Sequence, residues 1–238
     1  MIIGTRVLSP EEVCIWDTEL IQISIYYGLK DNHFIIETCT NMCRDLGIRY
    51  VIHPVGYFIL NSDMFESLML LAQWSDLALI LHDEKTPHGK RLYGQHEKNF
   101  RSSLEKLSSI TPVSFENATD TRDARWFWHN FADSITLDIG HVESTGIDAV
   151  EYVRALDKEE IEKIHYVHMH RNNGWRNGLT DHWPLLQDCR ELMALKELLN
   201  RKKDIAIILE INEADMIGDS IKLLKTVRDE FFNNFHNT

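Results

Sequence analysis

Seven ionisable side chains in this sequence stand at or just beyond the point where a short apolar run gives out: His53, His82, Glu116, Asp138, His141, His168 and Glu210. Imidazole and carboxylate are the donors that hold transition-metal ions, and they also move protons near neutral pH. A lone histidine at such a place is usually hydrogen-bonded, and a lone glutamate is usually solvated or paired with a cation. Three carboxylates gathered at one rim repel each other and lose their water, which bound cations relieve. Mixed nitrogen and oxygen donors suit Zn²⁺, with Mn²⁺, Fe²⁺ or Co²⁺ as alternatives, whereas Mg²⁺ and Ca²⁺ prefer all-oxygen shells. The expectation is a cluster of two or three divalent ions, with His182 folding over it from a later loop.

Residues so far apart in sequence meet only if the chain folds into a ring. Eight apolar runs recur, each followed by a stretch with helical period: Ile2 to Leu8, Leu20 to Ile25, Tyr50 to His53, Leu77 to His82, Val113 to Glu116, Ser134 to Asp138, Ile164 to His168 and Ile205 to Glu210. Strands alternating with helices imply a parallel sheet, and eight units predict the α/β (β/α)8 TIM barrel, whose strand ends converge on one mouth. An open doubly wound sheet is the competing fold, but no GxGxxG or GxxxxGK[ST] follows any of the runs. No Pro-rich or Gly/Ser-rich linker divides the chain, so residues 1–238 are expected to form one domain. The stretches Asp83 to Gln95 and Arg171 to Leu186 lack a clear period and should rise over the mouth.

The chain has 238 residues, 44% of them hydrophobic, enough for a large core. A formal charge of −12 argues against a surface built to coat nucleic acid or an anionic membrane, although Lys85, Lys90, Arg91, Lys98 and Arg101 form a local basic cluster. Cys14, Cys39, Cys43 and Cys189 show no CxxC or zinc-finger spacing and read as reduced thiols, with Cys39 and Cys43 on one face of a helix. The first residues read as a strand rather than a signal peptide, and no apolar run is long enough for a membrane span. A soluble, cytoplasmic protein is expected.

The order His53-Pro54…Tyr57…Asn61, His82, Phe115-Glu116-Asn117, Leu137-Asp138-Ile139-Gly140-His141, His168-Met169-His170-Arg171-Asn172-Asn173-Gly174, Asp181-His182-Trp183-Pro184-Leu185 and Leu209-Glu210 resembles the xylose isomerase-like TIM-barrel superfamily. That superfamily includes endonuclease IV and many sugar or sugar-phosphate isomerases and epimerases. Likeness to endonuclease IV implies that Glu116 bridges two metals, one held also by His53 and His82, the other by Asp138, His168 and Glu210. His141 and His182 would belong to a third. At that third site Thr180 stands where the nuclease pattern has an acidic residue, and Arg171 stands where many relatives carry Asp.

Two reaction classes follow from the resemblance. The first, favoured on the sequence, is phosphoester hydrolysis at abasic sites in DNA, with clustered metals generating hydroxide, Tyr57 and Phe58 entering the duplex, and the basic cluster holding phosphates. The second is isomerisation or epimerisation of a small keto-sugar or its phosphate, in which Glu116 and Glu210 are the catalytic pair and pass a proton at the carbon beside the carbonyl. One metal on Asp138 and His168 would serve it, and Arg171, Arg176 or His141 would take hydroxyl or phosphate oxygens. Trp175 and Trp183 flank His182 and could stack on a base or sugar, whereas Trp126 and Trp128 are expected to pack a helix against the barrel.

Overall fold

The computed structural model describes residues 1–118, 121–172, 181–212 and 214–232. Eight strands, β1 (Ile2–Val7), β2 (Leu20–Tyr26), β3 (Arg49–Val55), β4 (Leu79–His82), β5 (Val113–Glu116), β6 (Ile135–Asp138), β7 (Ile164–Met169) and β8 (Ala206–Leu209), close into a barrel in sequence order. Each runs parallel to the next, and β8 returns to β1. The (β/α)8 barrel expected from the alternating pattern is the fold.

The crossovers carry α1 (Asn32–Leu46), α2 (Ser62–Trp74), α3 (Gly94–Ser108), α4 (Thr121–Phe131), α5 (Ile139–Ser144), α6 (Ala149–Ala155), α7 (Lys158–Lys163), α8 (Arg190–Leu199) and α9 (Ala214–Phe232). Local chemistry sets their ends. The Asn61 side chain accepts from the amides of Asp63 and Met64 to start α2, while α1 stops where Gly47 takes φ +68°. Cys39 and Cys43 lie on the buried face of α1, where burial pushes their thiols up to about 12 and about 11, so they pack and do not react. Trp128 is fully buried and Trp126 packs against the same core, as expected of helix-to-barrel contacts.

Side chains of a strand alternate faces, so one parity of each strand fills the barrel. The lower interior is apolar: Leu20, Val51, Ala78, Ile80, Ala206 and Ile208 form a separate cluster, with Leu77 and Tyr166 packed against it. Advancing two residues from these positions reaches Gln22, His53, His82, His168 and Glu210. Every strand contributing to the dry plug therefore contributes a polar group above it. Strand register completes the layer by setting His82 beside Glu116 and Asp138 beside His168.

Among the described residues no helix is long and apolar enough to cross a membrane.

Candidate metal centre

Three groups of side chains offer ligand atoms that lie within 4.8 Å of one another: His53, His82 and Glu116; Glu116, Asp138 and His168; and His141, His170 and His182. Glu116 is shared by the first two. The fully buried ring of His168 is at the centre, with Nδ1 3.4 Å from Glu116 Oε2, 3.8 Å from Asp138 Oδ2 and 3.8 Å from Glu210 Oε1. Neither that nitrogen nor Glu116 Oε2 has a hydrogen-bond partner. Buried polar atoms are almost always paired, so two unpaired atoms facing each other mark a place suited to a cation.

The tautomers give independent support, because a ring nitrogen that donates a proton leaves the other nitrogen with its lone pair. His168 Nε2 lies 2.7 Å from Gln22 Oε1, and the Gln22 amide donates to Glu210 Oε1, so the oxygen faces His168 and must accept. In the neutral ring Nδ1 of His168 then carries the lone pair and turns it inward. His53 donates from Nδ1 to the Ile80 carbonyl at 2.9 Å, which turns Nε2 toward Glu116 Oε2 at 3.2 Å. His182 donates from Nδ1 to the Glu210 carbonyl at 2.8 Å, freeing its Nε2. Outer hydrogen bonds of this kind hold metal-binding histidines in their ligating tautomer. Each of the three rings, one in each donor group, is thus set to ligate a divalent ion.

With no ion present, protons carry the compensating charge. Burial alone would lower His168, yet Glu210, Glu116 and Asp138 outweigh it and raise the imidazole to about 9. Burial alone would raise Glu116, and the imidazoles of His168 and His53 overcome it, holding the carboxyl at about 2. Glu210 and Asp138 are likewise held below the usual carboxylate range against their burial, by His168 and Arg6 in one case and by His141 and His170 in the other. His53 goes the other way, lowered to about 4 because burial exceeds the attraction of Glu116. All three carboxylates are thus ionised at neutral pH, as ligands must be.

The Leu137-Asp138-Ile139-Gly140-His141 run has a local explanation. Asp138 Oδ1 accepts from the His141 amide at 2.6 Å and caps α5, which presents the His141 ring. Asn117 ties the end of β5 to β6, donating to the Asp138 carbonyl at 2.9 Å and accepting from its amide at 2.8 Å. His141 Nδ1 lies 3.4 Å from both Glu116 Oε1 and Asp138 Oδ2.

All eight residues expected as ligands are brought to this mouth. The expected substrate contacts are more scattered. Tyr57 is buried, its hydroxyl taking a hydrogen bond from Asn32 at 3.2 Å and its ring meeting Tyr27 edge-on, so it packs the β3–α2 loop; Phe58 beside it is exposed. Glu84 holds that loop by accepting from the amides of Ile59 and Leu60 at 2.8 and 2.9 Å. Arg171 and Trp183 pair through their backbones at the base of the β7–α8 loop, and Arg171 Nε donates to the Pro184 carbonyl. Trp175, Arg176 and Thr180 lie outside the described residues. In the basic cluster, Lys85 and Arg91 both face Asp123, at 3.4 and 2.9 Å, and Arg101 pairs with Glu97 at 3.0 Å. Carboxylates of α3 and α4 thus already engage three of the five cations expected to grip phosphates.

Arg6, Gln22 and His170 join the site without having been anticipated. Arg6 on β1 is buried, bonds Asn212 Oδ1 at 2.6 Å and stands 3.9 Å from Glu210 Oε2. A cavity of about 900 Å³ lies at the opposite end of the barrel around Leu77, Phe131, His165 and Tyr166, and none of the three donor groups borders it.

No protein-family model matches this chain, and no curated protein matches it in sequence. Among solved structures the fold is shared with a D-tagatose 3-epimerase-like protein, at a TM-score of 0.70 and 18% identity over 99% of this chain and 100% of that one. It is shared with D-psicose 3-epimerase from Clostridium cellulolyticum H10, at a TM-score of 0.58 and 10% identity over 98% and 97%. A Thermus thermophilus protein soaked with ZnCl2 is also similar, at a TM-score of 0.51 and 12% identity over 90% and 99%. Identities this low carry the fold.

Proposed function

We propose that this barrel is a metal-dependent isomerase or epimerase of a small keto-sugar, with Glu116 and Glu210 moving the proton. The observation that carries the reading is the convergence of Glu116, Asp138 and Glu210 within 3.8 Å of one unpaired, buried imidazole nitrogen, His168 Nδ1. Glu116, Asp138, His168 and Glu210 would hold the ion, which mixed nitrogen and oxygen donation suits to Mn²⁺, Co²⁺ or Zn²⁺. When bound, it polarises the carbonyl and neighbouring hydroxyl oxygens of the sugar and so acidifies the carbon-bound hydrogen between them. That acidification matters here. A carboxylate is a weak base, and only an acidified hydrogen comes within reach of Glu116.

Strands β5 and β8 flank β6 and β7 in the barrel order, so Glu116 and Glu210 approach the centre from different sides. One carboxylate would remove the hydrogen as a proton, and the other, protonated from solvent, would deliver a proton to the opposite face of the carbon and invert it, or to the neighbouring carbon while a hydroxyl proton shifts to the carbonyl oxygen; each then exchanges its proton with water. Gln22 steadies this arrangement by bonding Glu210 and His168 together. The epimerase names borne by two similarly folded proteins favour this reading over hydrolysis. So do the buried Tyr57 and the committed Lys85 and Arg91, which leave little of the DNA footprint expected from the sequence.

One feature favours the hydrolytic alternative: His53, His82 and Glu116 offer a second ion site sharing a ligand with the first, as a dinuclear phosphoesterase would use. A single paired assay separates the two. Protein loaded with Mn²⁺, Co²⁺ or Zn²⁺ is incubated in D2O with keto-pentoses, keto-hexoses and their phosphates, and in parallel with an abasic duplex. Deuterium entering the carbon beside the carbonyl, with the duplex intact, is the expected result; strand incision without sugar exchange would replace this reading with the hydrolytic one.

A further inference from the structure

His170 belongs by distance to a cluster of three histidines, His141, His170 and His182, that resembles a nitrogen-only metal site. Its hydrogen bonds give it a different role. The His182 amide donates to His170 Nδ1 at 3.0 Å, and a backbone N–H can only donate, so Nδ1 carries a lone pair. A neutral imidazole then has its proton on Nε2, which lies 3.2 Å from Asp138 Oδ1 and 3.3 Å from Oδ2. Both nitrogens are spent. For Nε2 to bind an ion while Nδ1 keeps its amide, the ring would have to become an imidazolate. His53, His168 and His182 present the opposite pattern, each donating outward and turning a lone pair toward the centre.

We infer that His170 is a positioning residue and not a ligand: one buried imidazole orients the Asp138 carboxylate for the ion and seats the loop that carries His182. The inference rests on the proposal above that an ion sits on Asp138. His182 needs such a seat. It is the one non-glycine residue among those described with positive φ, +59°, a conformation that costs about 1 kcal/mol or more and persists where surroundings enforce it. Its amide is held by His170, its carbonyl accepts from Asn212 at 3.0 Å, and its ring donates to the Glu210 carbonyl and packs against His170 at a tilt of 42°, with centroids 4.2 Å apart. The sequence makes room for the device: a Cβ at Gly140 would fall well inside 3.0 Å of three atoms of the His170 ring. His170 couples β6 to the β7–α8 loop, so the carboxylate on one and the imidazole on the other are set together.

Nuclear magnetic resonance of ¹⁵N-histidine-labelled protein, titrated with Zn²⁺, tests this on the intact chain. His170 should show the neutral Nε2–H pattern before and after the metal, while the inward nitrogens of His168 and His53 move to metal-bound positions. Movement of His170 Nε2 to a metal-bound position would overturn the inference while leaving the metal centre intact; a His168 unmoved by Zn²⁺ would remove the premise as well. Two substitutions divide the roles. Gln at 170 places a donor near the former Nε2, and Asn places an acceptor near the former Nδ1. His170→Gln should keep Zn²⁺ affinity at the Asp138 site within about threefold, and His170→Asn should lower it by about 10- to 100-fold, the usual range for loss of an outer-sphere partner. Equal affinity for both variants, with one fewer ion bound, would make His170 a ligand.

Discussion

Glu116→Gln will leave a folded barrel that turns over its substrate roughly 10³-fold more slowly, since removing a positioned acid–base group costs about 10² to 10⁴. The substitution keeps the shape of the side chain and removes its charge. In doing so it takes away the proton acceptor and the carboxylate shared by two donor groups. The effect should fall on kcat and metal occupancy together, with KM for the sugar changing little. Unfolding should remain cooperative, because Glu116 sits above the apolar plug of Leu20, Val51 and Ile80 and is not part of it. Initial rates, metal analysis and a urea curve on the same preparation check the three parts. A Glu116→Gln protein with undiminished turnover would remove that residue from the chemistry.

Gly140→Ala should be the most damaging single methyl group added near the site. The new Cβ would collide with three ring atoms of His170, which is fully buried, packed against His182 and tied at both nitrogens. Overpacking of a confined core position costs about 1–3 kcal/mol. The upper half of that range is expected, read as a lower urea midpoint. Displacing the ring also takes the donor from Asp138, so Zn²⁺ affinity should fall as it does in His170→Asn. A Gly140→Ala protein with wild-type midpoint and affinity would show that the ring can retreat.

Much of this was legible in the sequence because the barrel writes its geometry into strand ends. The stretch Val113 to Glu116 was delimited as observed, and each apolar run closing on His, Asp or Glu supplied a residue to the mouth. Boundaries slipped where strand pairing, not hydropathy, decides. Leu77 and Ala78 are apolar but precede β4, and β3 runs on through Pro54 to Val55 where His53 was expected to close it. Arg6, Gln22 and His170 escaped for a different reason. Attention to the last residue of a run finds one donor per strand, whereas the interior is a layer defined by parity. His170 lies two residues beyond His168 and faces the same way, and Gln22 lies two beyond Leu20 of the plug. Counting in twos would have found both. The likeness to endonuclease IV pointed to an acidic partner near residue 180; among the described residues the histidine cluster meets Asp138 on β6, through both His141 and His170, and Glu116, through His141. The preference for hydrolysis over isomerisation rested on how many donors were present. Tyr57 packed inward and cations already paired with Asp123 and Glu97 are properties of tertiary structure that no spacing discloses.

The most direct measurement is anomalous diffraction from crystals grown with Mn²⁺ or Zn²⁺, recorded on both sides of the metal absorption edge. An ion at about 2.0 to 2.2 Å from His168 Nδ1 and from oxygens of Glu116, Asp138 and Glu210 is the expected result. Well-occupied metal elsewhere on the protein, with no anomalous peak among these four side chains, would contradict it.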